Sequence, residues 1–265
     1  MKLHLLPVAT LIAIAVAAIT YSLWCFPWVT RYWFPSTFIL KLSGSGTYVV
    51  VSDVHLWYSV PEIKYIGDLC RKVNATALIV AGDLFEERRR VTTPQELVDM
   101  YERALTALNL WNSINFVVHV LSMSSHDYDL WNSSTVVKVR GVNILIVEGI
   151  LVLEVDRSRV YVLHGDYLCR NGFVAHVINR VFGDLFLEKL GRSVLKLGRG
   201  DWLIMGHTHI SGIDYGSKVV NCGSWMRKVL RVNPSLTACV LRFELGRVVD
   251  VSLYKLVDGR WSKVH

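Results

Sequence analysis

Tyr48-Val-Val-Val-Ser-Asp53-Val-His55 decides how this chain is read. A continuous apolar run of that length marks a strand buried on both faces, and this one discharges directly into an Asp and a His. The figure recurs along the sequence. Ala77-Leu-Ile-Val-Ala81 runs into Gly82-Asp83, and Phe116-Val-Val-His-Val-Leu121 is followed by Ser124-Ser125-His126-Asp127. Val160–Leu163 is followed by His164-Gly165-Asp166, and Trp202–Met205 by Gly206-His207-Thr208-His209. A single His at a strand end is ordinarily a satisfied polar residue. Five Asp- or His-bearing strand ends in one chain point to a shared pocket. In Asp-x-His and His-x-His, an extended backbone turns the middle side chain away, so both outer groups are expected to face one site.

Helical patterns separate the first strands. Pro61–Val73 places Ile63, Ile66, Leu69, Cys70 and Val73 on one face, and Thr93-Pro-Gln-Glu96 is a capping box opening a helix to about Leu108. Beyond residue 133 come β-runs at Thr135–Val139, Asn143–Val147, Ile150–Val155 and Val160–His164. A helix-like stretch at Phe173–Leu190 interrupts them, and they resume at Trp202–Met205, Lys218–Val220, Thr237–Phe243 and Val248–Leu256. This order predicts an α/β fold of two packed mixed β-sheets flanked by helices. Within the interruption, Val174, Val177, Ile178, Val181, Phe182, Leu185 and Phe186 keep a helical stripe, with Phe173, Leu187 and Leu190 widening it. Such a stripe either packs on the core or accepts apolar substrate chains.

The other end of the chain explains its high mean hydropathy of +0.35. From Leu5 to Thr30 no side chain is charged, which at ~1.5 Å per residue is long enough for a ~30 Å hydrocarbon core. Trp24, Phe26, Trp28, Tyr32, Trp33 and Phe34 follow as an interfacial aromatic cluster. Residues 1–34 are therefore expected to be a single-pass membrane anchor, residues 35–46 a Gly/Ser linker, and residues 47–265 the folded domain. A cleaved signal peptide ending near Ala15-Val16-Ala17 is the competing reading. Five Cys without paired spacing favour a reducing compartment, so the domain is expected on the cytoplasmic side. The 265 residues, 19% charged with few Pro, exclude a disordered chain, a collagen-like repeat and a disulfide scaffold.

Carboxylates with neutral imidazoles suit Mn²⁺, Fe²⁺ or Zn²⁺, and no Cys pair stands at zinc-finger spacing. Net charge +7 fits an anionic substrate or an anionic surface. Arg88-Arg89-Arg90, close after Gly82-Asp83, is either a solvated loop or an anchor for a substrate phosphate. Arg170 and Arg180 are interspersed in the apolar stripe and are further candidates to meet phosphates. No nucleic-acid recognition module or aromatic-interleaved basic stripe is present, so no nucleic-acid partner is expected.

The ordered series Asp-x-His, Gly-Asp, His-Asp, His and Gly-His-x-His resembles the calcineurin-like metallophosphoesterase superfamily over about residues 47–255. Gly82-Asp83-Leu84-Phe85-Glu86, His164-Gly165-Asp166-Tyr167-Leu168-Cys169 and Asn221-Cys222-Gly223-Ser224-Trp225 resemble its UDP-2,3-diacylglucosamine hydrolase branch, whose enzymes split a lipid-linked pyrophosphate at a membrane surface. The resemblance implies a four-layer αββα sandwich with a helical cap insertion at about 170–199. It implies two divalent ions, Mn first with Fe, Zn or Mg as alternatives. Asp53, His55 and His209 would hold one, His164 and His207 the other, and Asp83 would bridge them. Ser125 stands where the family has an Asn ligand, and Ser124 where it has a Gly. His126 would serve the leaving group with Asp127 fixing its tautomer, whereas the hydrolase branch usually carries an Arg at that position. The implied function is a membrane-anchored hydrolase of a phosphodiester or pyrophosphate bond in a lipid- or nucleotide-linked substrate, acting by in-line attack of a metal-bridging hydroxide. A tethered phosphatase or nuclease of soluble substrates, and a degenerate metal-binding protein, are the alternatives.

Overall fold

The computed structural model describes residues 5–30, 35–86, 90–124, 126–129, 134–156, 158–227 and 233–265, without the side chains of 5–9 and 11. Among these residues the strands are β1 (Thr37–Lys41), β2 (Gly46–Val51), β3 (Ala77–Ala81), β4 (Phe116–Leu121), β5 (Ser134–Val139), β6 (Val142–Glu148) and β7 (Ile150–Val155). They continue with β8 (Ser158–Val162), β9 (Trp202–Met205), β10 (Gly212–Asp214), β11 (Val219–Asn221), β12 (Thr237–Glu244), β13 (Arg247–Val257) and β14 (Arg260–Lys263). The helices are α1 (Leu5–Cys25), α2 (Pro27–Thr30), α3 (Tyr65–Lys72), α4 (Pro94–Ala107), α5 (Gly172–Phe182) and α6 (Phe186–Val194).

The strands form two mixed sheets, as the sequence predicts. One runs β14-β13-β12-β2-β3-β4-β6-β5 and the other β1-β7-β8-β9-β11-β10. Alternation along β2 shows why its run is apolar throughout. Val50 joins Ile79, Val118, Leu151, Val160 and Ile204 in the core shared by strands of both sheets. Val49 and Val51 point to the opposite face, where they join Ile66 and Leu69 of α3 and Leu97 and Leu105 of α4. On the second sheet, Val152, Leu203 and Met205 cluster with Leu168 and Leu185 of the segment around α5 and α6. The layers are therefore helix, sheet, sheet, helix.

Parallel pairing fixes where the chemistry sits. β2, β3, β4 and β6 are mutually parallel neighbours, and β8 runs parallel to β9. Their carboxyl ends each emerge at one edge of their sheet, the usual place for a site in a parallel arrangement. The α4 cap forms with one change of partner. Thr93 Oγ1 accepts from Glu96 N at 3.2 Å, while Glu96 Oε2 accepts from Thr92 N at 3.0 Å, one residue before the cap.

Two expectations are corrected. The segment read as a linker contains β1, whose residues Thr37–Lys41 pair in parallel with Ile150–Glu154. A Gly/Ser tract thus occupies only its last turn, and the edge of β7 supplies partners that no local pattern reveals. The stripe at 173–190 is two helices, not one, because Gly183 (φ 107) and Leu185 (φ 66) adopt left-handed backbone between them. Leu185 and Phe186 keep the helical phase across the break, which is why periodicity alone runs through it. Residues 1–4 and 31–34 of the segment read as an anchor lie outside the described residues, and among the described residues no helix is long and apolar enough to cross a membrane. α1 has 21 residues and no charged side chain in its first or last turn. Ile12, Ile14, Val16, Ile19, Leu23 and Trp24 of α1 are all exposed, and Cys25 is buried against Cys169, Ala175 and Leu187.

Candidate metal centre

The chain does not stay extended where it leaves the strands. Asp53 (φ 51), His55 (φ 47), Asp83 (φ 52), His207 (φ 70) and His209 (φ 58) all sit in the left-handed region. The extended Asp-x-His and His-x-His geometry expected from sequence is therefore replaced by sharp turns over the sheet edge. Left-handed backbone is uncommon for residues with a Cβ, and it persists where surrounding contacts over-determine it. Here the turns brace one another. Asp53 N donates to Gly82 O (3.2 Å), His55 N to Asp83 O (2.9 Å), Gly206 N to His164 O (3.0 Å) and Trp225 N to Asp53 O (3.0 Å).

The side chains converge. Asp83 Oδ2 lies 3.2 Å from His164 Nε2 and 3.6 Å from His55 Nε2. Asp53 Oδ1 lies 3.1 Å from His209 Nε2, and Asp53 Oδ2 accepts from His207 N at 2.8 Å. His207 Nδ1 faces His164 Nε2 at 3.0 Å. Three overlapping groups have ligand atoms mutually within 4.8 Å: Asp53/His55/His209, His55/Asp83/His126 and Asp53/Asp83/His164.

The far side of each ring fixes what it presents. His164 Nδ1 donates to Ala81 O (3.1 Å) and His207 Nε2 to Cys169 O (2.5 Å), because a carbonyl can only accept. His55 Nδ1 donates to the Glu86 carboxylate at 2.6 Å. In their neutral forms, rings so anchored would offer lone pairs at His164 Nε2, His207 Nδ1 and His55 Nε2. Lone pairs facing one another and two carboxylates repel unless positive charge lies between them. Among the described residues, His55 Nε2 is buried without a hydrogen-bond partner. That donor set fits divalent cations.

Without an ion, the carboxylates draw positive charge onto two of the imidazoles. Burial alone would raise the Asp53 and Asp83 carboxyls, but the neighbouring imidazoles of His209 and His164 hold both below the usual carboxylate range. Burial opposes charge on His164 and His55, yet Asp83 pushes the first well up and Glu86 with Asp83 raises the second. His207, buried beside His164, is pushed down to about 4 and is neutral at ordinary pH.

The residues marked in the sequence separate into those the fold gathers and those it does not. Asp53, His55, Asp83, His126, His164, His207 and His209 share one neighbourhood. Ser125, Arg88 and Arg89 lie outside the described residues. Arg90 is exposed, and Arg180 is exposed and paired with Asp184 at 3.6 Å. Arg170 lines a cavity of about 560 Å³ with His55, Asp83, His126, His209 and Phe173, and its guanidinium lies 5.9 Å from the Trp24 ring centre.

Asp127 has different partners from those expected. Its carboxylate accepts from the backbone N–H groups of Asp83 (2.9 Å), Leu84 (3.1 Å), Phe85 (3.2 Å) and Ser122 (2.9 Å), and meets His119 Nε2 at 3.2 Å. Asp127 therefore clamps the turn that presents Asp83. His126 Nδ1 donates instead to Glu86 O at 3.0 Å. Sequence reading missed Glu86, although it stands in the Gly82–Glu86 block, and His119, whose signal is a lone polar residue in the apolar run of β4. His119 Nδ1 meets Tyr101 Oη at 2.7 Å, completing a buried chain from α4 to the Asp83 turn.

No family model and no curated protein matches this sequence. Solved structures are similar at low identity. Vps29 from Entamoeba histolytica, solved in complex with Zn²⁺, is 18% identical with a TM-score of 0.47, covering 82% of this chain and 96% of that one. Vacuolar Protein Sorting 29 from Cryptosporidium parvum is 16% identical with a TM-score of 0.45, covering 84% and 97%. Yfce, a phosphoesterase from E. coli, is 13% identical with a TM-score of 0.37, covering 77% and 97%.

Proposed function

We propose that this chain is a metal-dependent phosphoester hydrolase of the calcineurin-like metallophosphoesterase type, holding two divalent ions. The reading rests on one observation: imidazole nitrogens and two ionised carboxylates, drawn from the ends of β2, β3, β8 and β9, face one another in a buried cluster. Asp53, His55 and His209 would hold one ion and His164 with His207 the other, with Asp83 between them. When bound, such a pair lowers the pKa of water and offsets charge on phosphoryl oxygens. His126 keeps Nδ1 on Glu86 O and its side chain is 39% exposed, so its Nε2 edge faces where a leaving oxygen would stand. Arg170 and Arg227, both lining the cavity, supply positive charge for an anionic ester.

A lipid-linked ester is the substrate we favour. Phe173, Val181 and Phe182 are 61%, 68% and 66% exposed on α5, and Phe173 lines the same cavity as Trp24 at the end of the uncharged α1. Apolar side chains flanking a charged cavity suit an amphiphile held at a membrane surface.

The deciding experiment screens the purified chain, supplied with Mn²⁺, against phosphomonoesters, phosphodiesters and pyrophosphates. Metal-dependent turnover of at least one class is expected, abolished by chelation and restored by Mn²⁺. Stoichiometric Mn²⁺ binding with no turnover of any class would leave a metal-binding protein. Within that screen, the double change Val181→Ser, Phe182→Ser is expected to lower turnover of a lipid-linked pyrophosphate about tenfold or more while sparing bis-p-nitrophenyl phosphate. Equal losses on both substrates would assign the two residues to packing.

A further inference from the structure

We infer that Glu188 of α6 is a positioning residue for His207 and His209, an inference that rests on the metal-centre reading above. Glu188 is fully buried, and no cation faces it among its hydrogen-bond partners. Its Oε1 accepts from Thr208 Oγ1 (3.2 Å) and Asn221 Nδ2 (2.6 Å), and its Oε2 from Asn179 Nδ2 (3.0 Å). A buried carboxylate satisfied only by neutral donors is expensive to keep and calls for a reason.

The reason lies in Thr208, the residue between the two candidate ligands. His207 and His209 both hold left-handed backbone, with φ of 70 and 58. A turn strained on both sides of one residue needs that residue pinned. Thr208 is pinned from three directions. Its hydroxyl meets Glu188 and Asn221 (3.0 Å from Nδ2), and its carbonyl accepts from His176 Nδ1 of α5 at 2.9 Å. Asn221 Nδ2 also reaches Gly206 O at 2.7 Å, so the residue before His207 is tied to the same carboxylate. Asn179 closes the circuit within the insertion, its Oδ1 accepting from Leu187 N at 2.8 Å. The helical insertion is thereby wired to the turn that carries two imidazoles, and Glu188 is the junction.

The test titrates Mn²⁺ into the full-length metal-free protein by calorimetry, with folding of each variant checked by circular dichroism. Glu188→Ala and Thr208→Val are expected to weaken Mn²⁺ binding about 10–100-fold, the range for groups that orient metal ligands. Thr208→Ser, which keeps the hydroxyl, is expected to restore wild-type affinity. Should Glu188→Ala fail to fold, the Thr208 pair carries the test alone. Wild-type affinity in Thr208→Val, or equal weakness in Thr208→Ser and Thr208→Val, overturns the inference and leaves the metal reading standing. A wild-type protein that takes up no Mn²⁺ overturns both.

Discussion

Asp83→Ala is expected to empty the site. In metal analysis of the purified protein, bound divalent ion should fall from about two per chain toward none, and hydrolysis by at least about 10³-fold. Asp83 belongs to two of the three ligand groups, and its Oδ2 lies 3.2 Å from His164 Nε2 and 3.6 Å from His55 Nε2. Without it, His164 and His207 still face each other at 3.0 Å, now with one carboxylate fewer beside them to favour positive charge. The same change has an effect that needs no metal. Asp83 is the largest influence raising the His164 pKa against burial, so that pKa should fall in Asp83→Ala, and proton NMR of the metal-free protein would register it. Alanine is also a poorer occupant of the left-handed backbone at φ 52 than Asp. Asp83→Asn tolerates that conformation and so separates lost charge from lost turn. Two ions per chain in Asp83→Ala would sink the assignment.

How much of this was readable in advance depends on what each feature answers to. Buried parallel strands must be apolar on both faces, so β2, β3, β8 and β9 announce themselves, and the Asp and His residues at their ends stand out against that background. The two-sheet architecture follows from the same runs. Features governed by distant partners stayed hidden. β1 exists because β7 offers a free edge 113 residues away in register, Thr37 against Ile150. Asp127 next to His126 suggests a pair, yet neighbouring residues in a turn point apart. The Asp127 carboxylate finds four backbone N–H groups and His119 instead. The extended Asp-x-His geometry failed for a related reason. Left-handed turns at Asp53 and His55 are stabilised by hydrogen bonds to Gly82 and Asp83, which no window of local sequence contains.

The glycine ahead of Asp83 gives the second large effect. Gly82 has φ +82, and a Cβ there would stand 2.4 Å from His164 Cγ and 2.5 Å from His164 Nδ1. That ring has nowhere to go. Its Nδ1 is held by Ala81 O at 3.1 Å, and its Nε2 lies between Asp83 and His207. Gly82→Ala therefore adds an overlap of about 1–3 kcal/mol to a left-handed penalty of about 1–2 kcal/mol, and it must displace either His164 or the Asp83 turn. The control is Gly141, which has φ +92 in the turn between β5 and β6 and would place its Cβ in open space. Gly141→Ala should incur only the backbone penalty and bind metal like the wild type. Gly206 isolates the other component: its φ is not positive, but a Cβ would lie 1.6 Å from Ser52 Oγ and 2.3 Å from Asp53 Oδ2. Denaturant unfolding with metal counting on the three variants should rank Gly141→Ala mildest, with Gly82→Ala and Gly206→Ala both losing stability and bound ion. Equal unfolding midpoints for Gly82→Ala and Gly141→Ala would mean that the backbone alone demands glycine at 82, and that His164 does not stand where the cluster requires it.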